Sequence, residues 1–283
     1  MPKKKLAVLL VLLHPAFVRA ADLKSETLQA WDVYVRQVQL RIQDRSRGHA
    51  PYLRVDETQG LAERVRAGEI VVEPEGGKSP VVAPRGLIHD WVGAVFVPNA
   101  KLDEVMGVLN EYERYKDFYR PMVTESRLLE ERPNRELVRL LMTQRAYSVT
   151  AAVETDDEVH VVRLDDKRAY SLSASIRVQE IADYGKPAEH PLPQDRGPGY
   201  VWRTFTATRL EQRDGGTYVE MEMIALSRSI PWAFHWLMQP LAERLPRSTL
   251  IAMLKDTRDA VGSEMRAAST GLRGNSSMIA GGR

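Results

Sequence analysis

Residues 217–226 read Thr217-Tyr218-Val219-Glu220-Met221-Glu222-Met223-Ile224-Ala225-Leu226, and their alternation decides the fold class. Val219, Met221, Met223 and Ala225 fall on one side of an extended chain, with Glu220 and Glu222 on the other. That pattern predicts a strand with one dry face and one solvated face. Five more stretches upstream read as strands: 122–129, 136–145, 148–162, 169–181 and 200–210. The polar turns Arg132-Pro133-Asn134, Asp165-Asp166-Lys167 and Asp214-Gly215-Gly216 join them as an antiparallel meander requires. In the fourth stretch Tyr170, Leu172, Ala174, Ile176 and Val178 alternate with Ser171, Ser173 and Ser175, so one-sided burial is expected there too.

A sheet with one dry face needs a cover. Residues 231–268 are expected to supply it as two helices, because Pro240 and Pro246 interrupt any continuous one. The first should run over 232–239, with Pro231 suited to its first turn. The second, 247–265, carries a stripe of Leu250, Ile251, Met253, Leu254, Val261 and Met265. From Ser269 onward Gly, Ser, Ala and Arg follow no period, and a disordered tail over 269–283 is expected.

Ahead of the meander, residues 87–97 read as a further strand stopped by Pro98-Asn99. Asn99 is the expected cap of a helix whose face is Leu102, Val105, Leu109 and Tyr112, continued by Tyr115, Phe118 and Tyr119. Residues 21–83 form a mixed extension. Its first part is an amphipathic helix on Leu28, Trp31, Val35, Val38 and Ile42, capped by Ser25 and ending near Arg47-Gly48. Short extended stretches follow at 52–55 and 70–72, then a linker, Glu75-Gly76-Gly77-Lys78-Ser79-Pro80. The main domain is expected to begin at 84 and end at 268.

The first twenty residues stand apart. Lys3, Lys4 and Lys5 precede the apolar run Leu6 to Leu13, and Val18-Arg19-Ala20 offers small residues at the positions a signal peptidase reads. A cleavable signal peptide and a periplasmic or secreted location are expected. The run, broken by His14 and Pro15, is too short to span a membrane. Removing the leader takes away four of the 40 basic residues and none of the 38 acidic ones, which turns a net charge of +2 into −2. Such a chain lacks the positive field that nucleic acid requires. With no cysteine in 283 residues, disulfides, thiol catalysis and zinc–cysteine sites are excluded.

The order of strand, helices, long antiparallel run and C-terminal helix resembles the helix-grip fold of the START-like (SRPBCC) superfamily. So do His89-Asp90-Trp91-Val92-Gly93-Ala94-Val95-Phe96-Val97-Pro98, the run from Tyr112 to Pro121, Gly216-Thr217-Tyr218-Val219-Glu220-Met221-Glu222, and Leu245-Pro246-Arg247-Ser248. These are similar to exported bacterial members of unassigned activity. The resemblance implies an α+β fold in which a curved antiparallel sheet of about seven strands grips a long C-terminal helix around a hydrophobic cavity. An N-terminal helical extension precedes it. It leaves the ligand open.

On that reading the expected cavity residues are Trp91, Tyr170, Trp202, Met221 and Met223 from the sheet, and Leu250 and Leu254 from the helix. Arg139, Arg145 and Arg203 are candidates for a polar headgroup. Glu220 and Glu222 share a strand face, and the plainest reading makes them solvated, with Arg203 as a cross-strand partner. The aromatic series from Tyr112 to Tyr119 is expected to pack its helix on the sheet. Mature histidines at 49, 89, 160, 190 and 235 are scattered singly, so no metal site is expected, and no motif calls for a cofactor. The favoured function is an exported carrier of a hydrophobic small molecule or lipid, with transient membrane contact possible. A cyclase or aromatase using the same cavity is one alternative. A cell-envelope interaction module that docks through residues 22–83 is the other.

Overall fold

The computed structural model describes residues 21–280 apart from 134, 147–148 and 230–234; for 146, 149, 235–243 and 271–280 only the backbone is described. The signal-peptide expectation and the start of the 232–239 helix thus lie outside the described residues.

Seven long strands follow the expected stretches closely. They are β4 (Gly86–Pro98), β5 (Val123–Arg132), β6 (Arg135–Ala146), β7 (Val149–Arg163), β8 (Arg168–Ala182), β11 (Arg203–Arg213) and β12 (Gly216–Arg228). Three short strands join them: β2 (Val71–Pro74) and β3 (Val81–Ala83) both pair with β4, and β9 (His190–Pro191) pairs with β8. The result is one antiparallel sheet of ten strands, in the order β2-β4-β12-β11-β8-β7-β6-β5 along its main path. The strands beyond seven come mostly from residues 71–83, which the sequence reads as a short extended stretch and a linker. β1 (Ala21–Asp22) pairs with β10 (Arg196–Gly197), tying the described N-terminus to the Pro-rich loop.

Among the described residues there are five α-helices: α1 (Ser25–Ser46), α2 (Leu61–Arg66), α3 (Leu102–Asn110), α4 (Tyr115–Phe118) and α5 (His235–Ala280). Neither expected cap is used. Lys24 and Lys101 precede the first turns of α1 and α3, while Asn99 turns the chain at φ 62°. In α3 the Glu104 carboxylate instead accepts the Lys101 backbone N–H at 2.7 Å. The two-helix expectation over 232–265 is corrected, since α5 runs unbroken through Pro240 and Pro246 and continues past Ser269. A proline removes a single intrahelical hydrogen bond, and a helix held at Leu250, Leu254 and Val261 tolerates that loss. Beyond Met265 no proline stops it.

The larger correction concerns the sheet, which is covered on both faces. α5 lies on the concave face along β4, beside β2 and β12. Leu250, Leu254 and Val261 meet Trp91, Val95, Val219 and Met221 there. On the convex face the stripe of α1, Trp31, Val38 and Ile42, packs on Ile88, Phe205, Ile224 and Leu226. Leu53, Val55, Leu61 and Val65 cover Ala94, Phe96 and Tyr218 beside it. Residues 25–66 are therefore built into the core rather than held out as a docking element.

Glu220 and Glu222 accordingly are not solvated: they are 1% and 3% exposed. Nor is Arg203 their partner, because the β11–β12 register aligns Arg203 with Leu226 and Arg209 with Glu220. The buried Arg209 guanidinium donates to Glu220 at 2.8 and 3.0 Å and stands 3.6 Å from Glu222. The backbone N–H groups of Arg54 and Val55 also donate to Glu220. Arg41 reaches in from α1 to Glu222 at 2.6 Å, and the Tyr34 hydroxyl donates to Asp90 at 2.8 Å. Three carboxylates thus face two guanidinium groups beneath α1.

Asp90 bears the cost of that imbalance. Burial, and then the neighbouring Glu222 charge, push its carboxyl up to about 7. The native state therefore binds this proton more tightly than the unfolded chain. The ionised form is penalised, so this contribution to stability is greatest at acidic pH and is lost as pH rises through about 7. Asp90→Asn should therefore raise the melting temperature at about pH 8 and lose that advantage near pH 5, as scanning calorimetry would show. A variant less stable than the parent at alkaline pH would contradict the assignment.

Candidate functional site

Register places each predicted residue on one face or the other. Met221 pairs with Gly93 and Met223 with Trp91, and all four side-chain positions face α5. Leu250 and Leu254 are fully buried against them. These five predicted residues, Trp91, Met221, Met223, Leu250 and Leu254, are brought together. Gly93 leaves room for both β2 and α5: a Cβ there would stand 2.6 Å from Val72 and 2.8 Å from Leu254.

The other five lie elsewhere. Tyr170 and Trp202 belong to the convex cluster under α1, whose apolar stripe recruits them. Arg203 pairs with Asp195 at 2.6 Å. Arg139 forms a two-pronged bond to Asp156, at 2.6 and 2.9 Å, within an ion-pair group that includes Arg177 and Glu154. Alternation along β6 puts the exposed Arg145 on the same side. None of these arginines faces α5.

With Tyr170, Leu172 and Ala174 turned to α1, the serines between them turn to the concave side. Register sets Ser171 opposite Thr208 and Ser173 opposite Thr206. Ser175 bonds to the backbone of Thr204 on the same side, its oxygen accepting the Thr204 N–H at 2.9 Å. A band of six hydroxyls thus runs down the middle of the concave floor. Val159 and Val161 flank it on β7, and Met221 and Met223 flank it on β12.

Asp157 closes one end of this band. It is 5% exposed and pairs with Ser175 across β7–β8, next to a bulge that shifts the register by one residue. The Thr155 hydroxyl donates to its Oδ2 at 2.5 Å, and that of Thr204 reaches Oδ1 at 3.5 Å. Burial pushes this carboxyl up to about 6, partly offset by the two hydroxyls. Two other acids on this face are already engaged. Glu180 accepts the N–H groups of Gly199, Tyr200 and Val201, and Glu136 accepts the Tyr112 hydroxyl at 3.2 Å. Across the sheet on β4, the buried Trp91 indole N–H finds no hydrogen-bond partner among the described residues.

Because α5 lies along β4, it leaves much of the floor less tightly covered. Ser171, Ser173, Ser175, Thr204, Thr206 and Met223 are all only half-buried. Ile251 and Met253 of α5 keep part of their surface as well. The aromatic series acts as expected and closes one side. Tyr112 and Tyr119 are buried, the latter 3.0 Å from the Thr257 hydroxyl of α5. The described residues contain no group of three or more His, Asp or Glu side chains placed to hold a metal.

Sequence reasoning missed Asp157 and the hydroxyl band. The one signal for Asp157 is Thr155 two residues earlier, which any strand places on the same face. For the band, the alternation was read correctly but its dry side was assigned to the wrong layer.

No protein-family model matches the chain, and no curated protein matches its sequence. Among solved structures it is similar to a STAR-related lipid transfer protein fragment from Xanthomonas axonopodis, with 20% identity and a TM-score of 0.43. That likeness covers 64% of this chain and 96% of the other. The Zhui aromatase/cyclase from a Streptomyces species matches at 15% identity and 0.39, over 64% and 98% of the two chains. A START superfamily protein from Mycobacterium smegmatis matches at 10% and 0.38, over 62% and 97%. The fold is START-like. That statement rests on the strand order and the C-terminal helix packed on the sheet; likenesses this distant say nothing about ligand or activity.

Proposed function

We propose that this chain is an exported carrier that holds a hydrophobic small molecule or lipid between the concave face of the sheet and α5. The observation that carries the reading is a floor left half-open beside the helix that covers β4. One side of that floor is apolar, at Met221 and Met223, and the hydroxyls of Ser171, Ser173 and Thr206 make no side-chain hydrogen bond among the described residues. An apolar chamber with a few fixed polar groups is the usual form of a small-molecule site. Desolvation supplies the affinity, about 0.8 kcal/mol for each methylene buried, less the cost of ordering the guest. The leader over residues 1–20 supports delivery out of the cytoplasm.

The test is uptake of a neutral, environment-sensitive hydrophobic dye. Ser173→Trp puts a large side chain in the middle of the floor and should weaken uptake by about ten-fold or more. Tyr170→Ala, on the convex face, should leave uptake unchanged. Equal uptake by Ser173→Trp and the parent chain would overturn the assignment.

A second reading, a cyclase or aromatase, is favoured by the Asp157 carboxyl at about 6, poised to give or take a proton near neutral pH. It requires Asp157→Asn to abolish turnover of a bound substrate while binding persists.

A further inference from the structure

Acids outnumber bases on the concave face among the described residues. The inward positions of β4, β12, β11, β8, β7 and β6 supply Asp157, Glu136 and Glu180, against Arg163 at the far end of β7 and His89 on β4, whose ring is bonded to the Ser227 hydroxyl at 2.9 Å. Arg163 is exposed and already bonded to Asp103.

Glu180 and Glu136 have protein donors. Asp157 differs. Its Oδ2 accepts one hydroxyl, and its Oδ1 has a single hydroxyl contact at 3.5 Å, the outer limit of a hydrogen bond. A carboxylate that is 5% exposed with no cation facing it is costly to keep ionised, and a ligand that brings a positive donor offsets the cost. A carboxylate or phosphate headgroup at Asp157 would add repulsion and find no counter-charge beside it among the described residues.

We infer that the guest is a hydrophobic amine, its apolar body against Met221 and Met223 and its ammonium group hydrogen-bonded to Asp157 at the end of the hydroxyl band. This deepens the carrier reading and rests on it. The hydroxyls of Thr204 and Ser173, one on the row of Asp157 and one on the next, can accept the remaining ammonium hydrogens. The apolar part of the guest sets how tightly it binds. The head group sets which guest is chosen.

The experiment is displacement of the neutral dye from the full-length protein by dodecylamine, dodecanol and dodecanoate at neutral pH. Dodecylamine should displace it at a concentration about ten-fold or more below that of dodecanoate, with dodecanol between them. Asp157→Asn should bring the amine and the alcohol to within about two-fold of each other, with each competitor's displacement referred to that variant's own dye affinity. Dye uptake with equal or better displacement by dodecanoate would overturn the amine assignment and leave the carrier reading standing. An amine preference that survives in Asp157→Asn would overturn the role of this carboxylate. No dye uptake by the parent chain would overturn both, and the comparison of competitors on the parent needs no variant to fold.

Discussion

Arg209→Met should lower the stability of the chain by about 3–5 kcal/mol, seen as a fall in the urea midpoint at unchanged slope. Arg209 is 2% exposed and supplies the guanidinium that both Glu220 and Glu222 face. Removing it strands two carboxylates under α1. Arg41 reaches Glu222 alone, and the N–H groups of Arg54 and Val55 stabilise Glu220 without neutralising it. Adding Glu222→Gln should recover part of the loss, because one fewer charge is left without a partner and the amide oxygen still accepts from Arg41. An unchanged midpoint in Arg209→Met would mean that the cluster is hydrated rather than paired.

The second large effect concerns the N-terminal extension. A chain beginning at Pro84 should not yield a stable monomer on size-exclusion chromatography. Its loss would uncover Ile88, Phe96, Phe205, Tyr218, Ile224 and Leu226 as one convex surface, all of them now at most 5% exposed. An apolar patch of that extent drives association. The truncation also removes β2 and β3, which leaves the outer side of β4 as a bare edge. A monodisperse, cooperatively melting product would show instead that 21–83 is an appendage.

The sequence made the strands legible because the signal for a strand is local. The 2.0-residue period and the turn at Asp214-Gly215-Gly216 together place β12 to within two residues at either end. What lies over each face is not local. Ser171, Ser173 and Ser175 read as a wet edge because hydropathy reports which side is drier, and both sides here are covered. Tyr170 was drawn to α1, an element 124 residues or more upstream. The fate of Glu222 was equally hidden, since its partner Arg41 lies 181 residues away. Of the candidate site, the apolar half was readable from Met221, Met223, Leu250 and Leu254, whose spacing matches their element. Asp157 was not, because its burial follows from β7 lying deep in the sheet between β6 and β8.

Native mass spectrometry of the protein purified without detergent tests the chamber most directly, with solvent extraction of whatever accompanies it. The parent chain is expected to carry one small hydrophobic molecule that organic solvent releases and that Ser173→Trp lacks. Bare protein mass in every preparation, from a chain that also takes up no hydrophobic dye, would contradict a guest beneath α5.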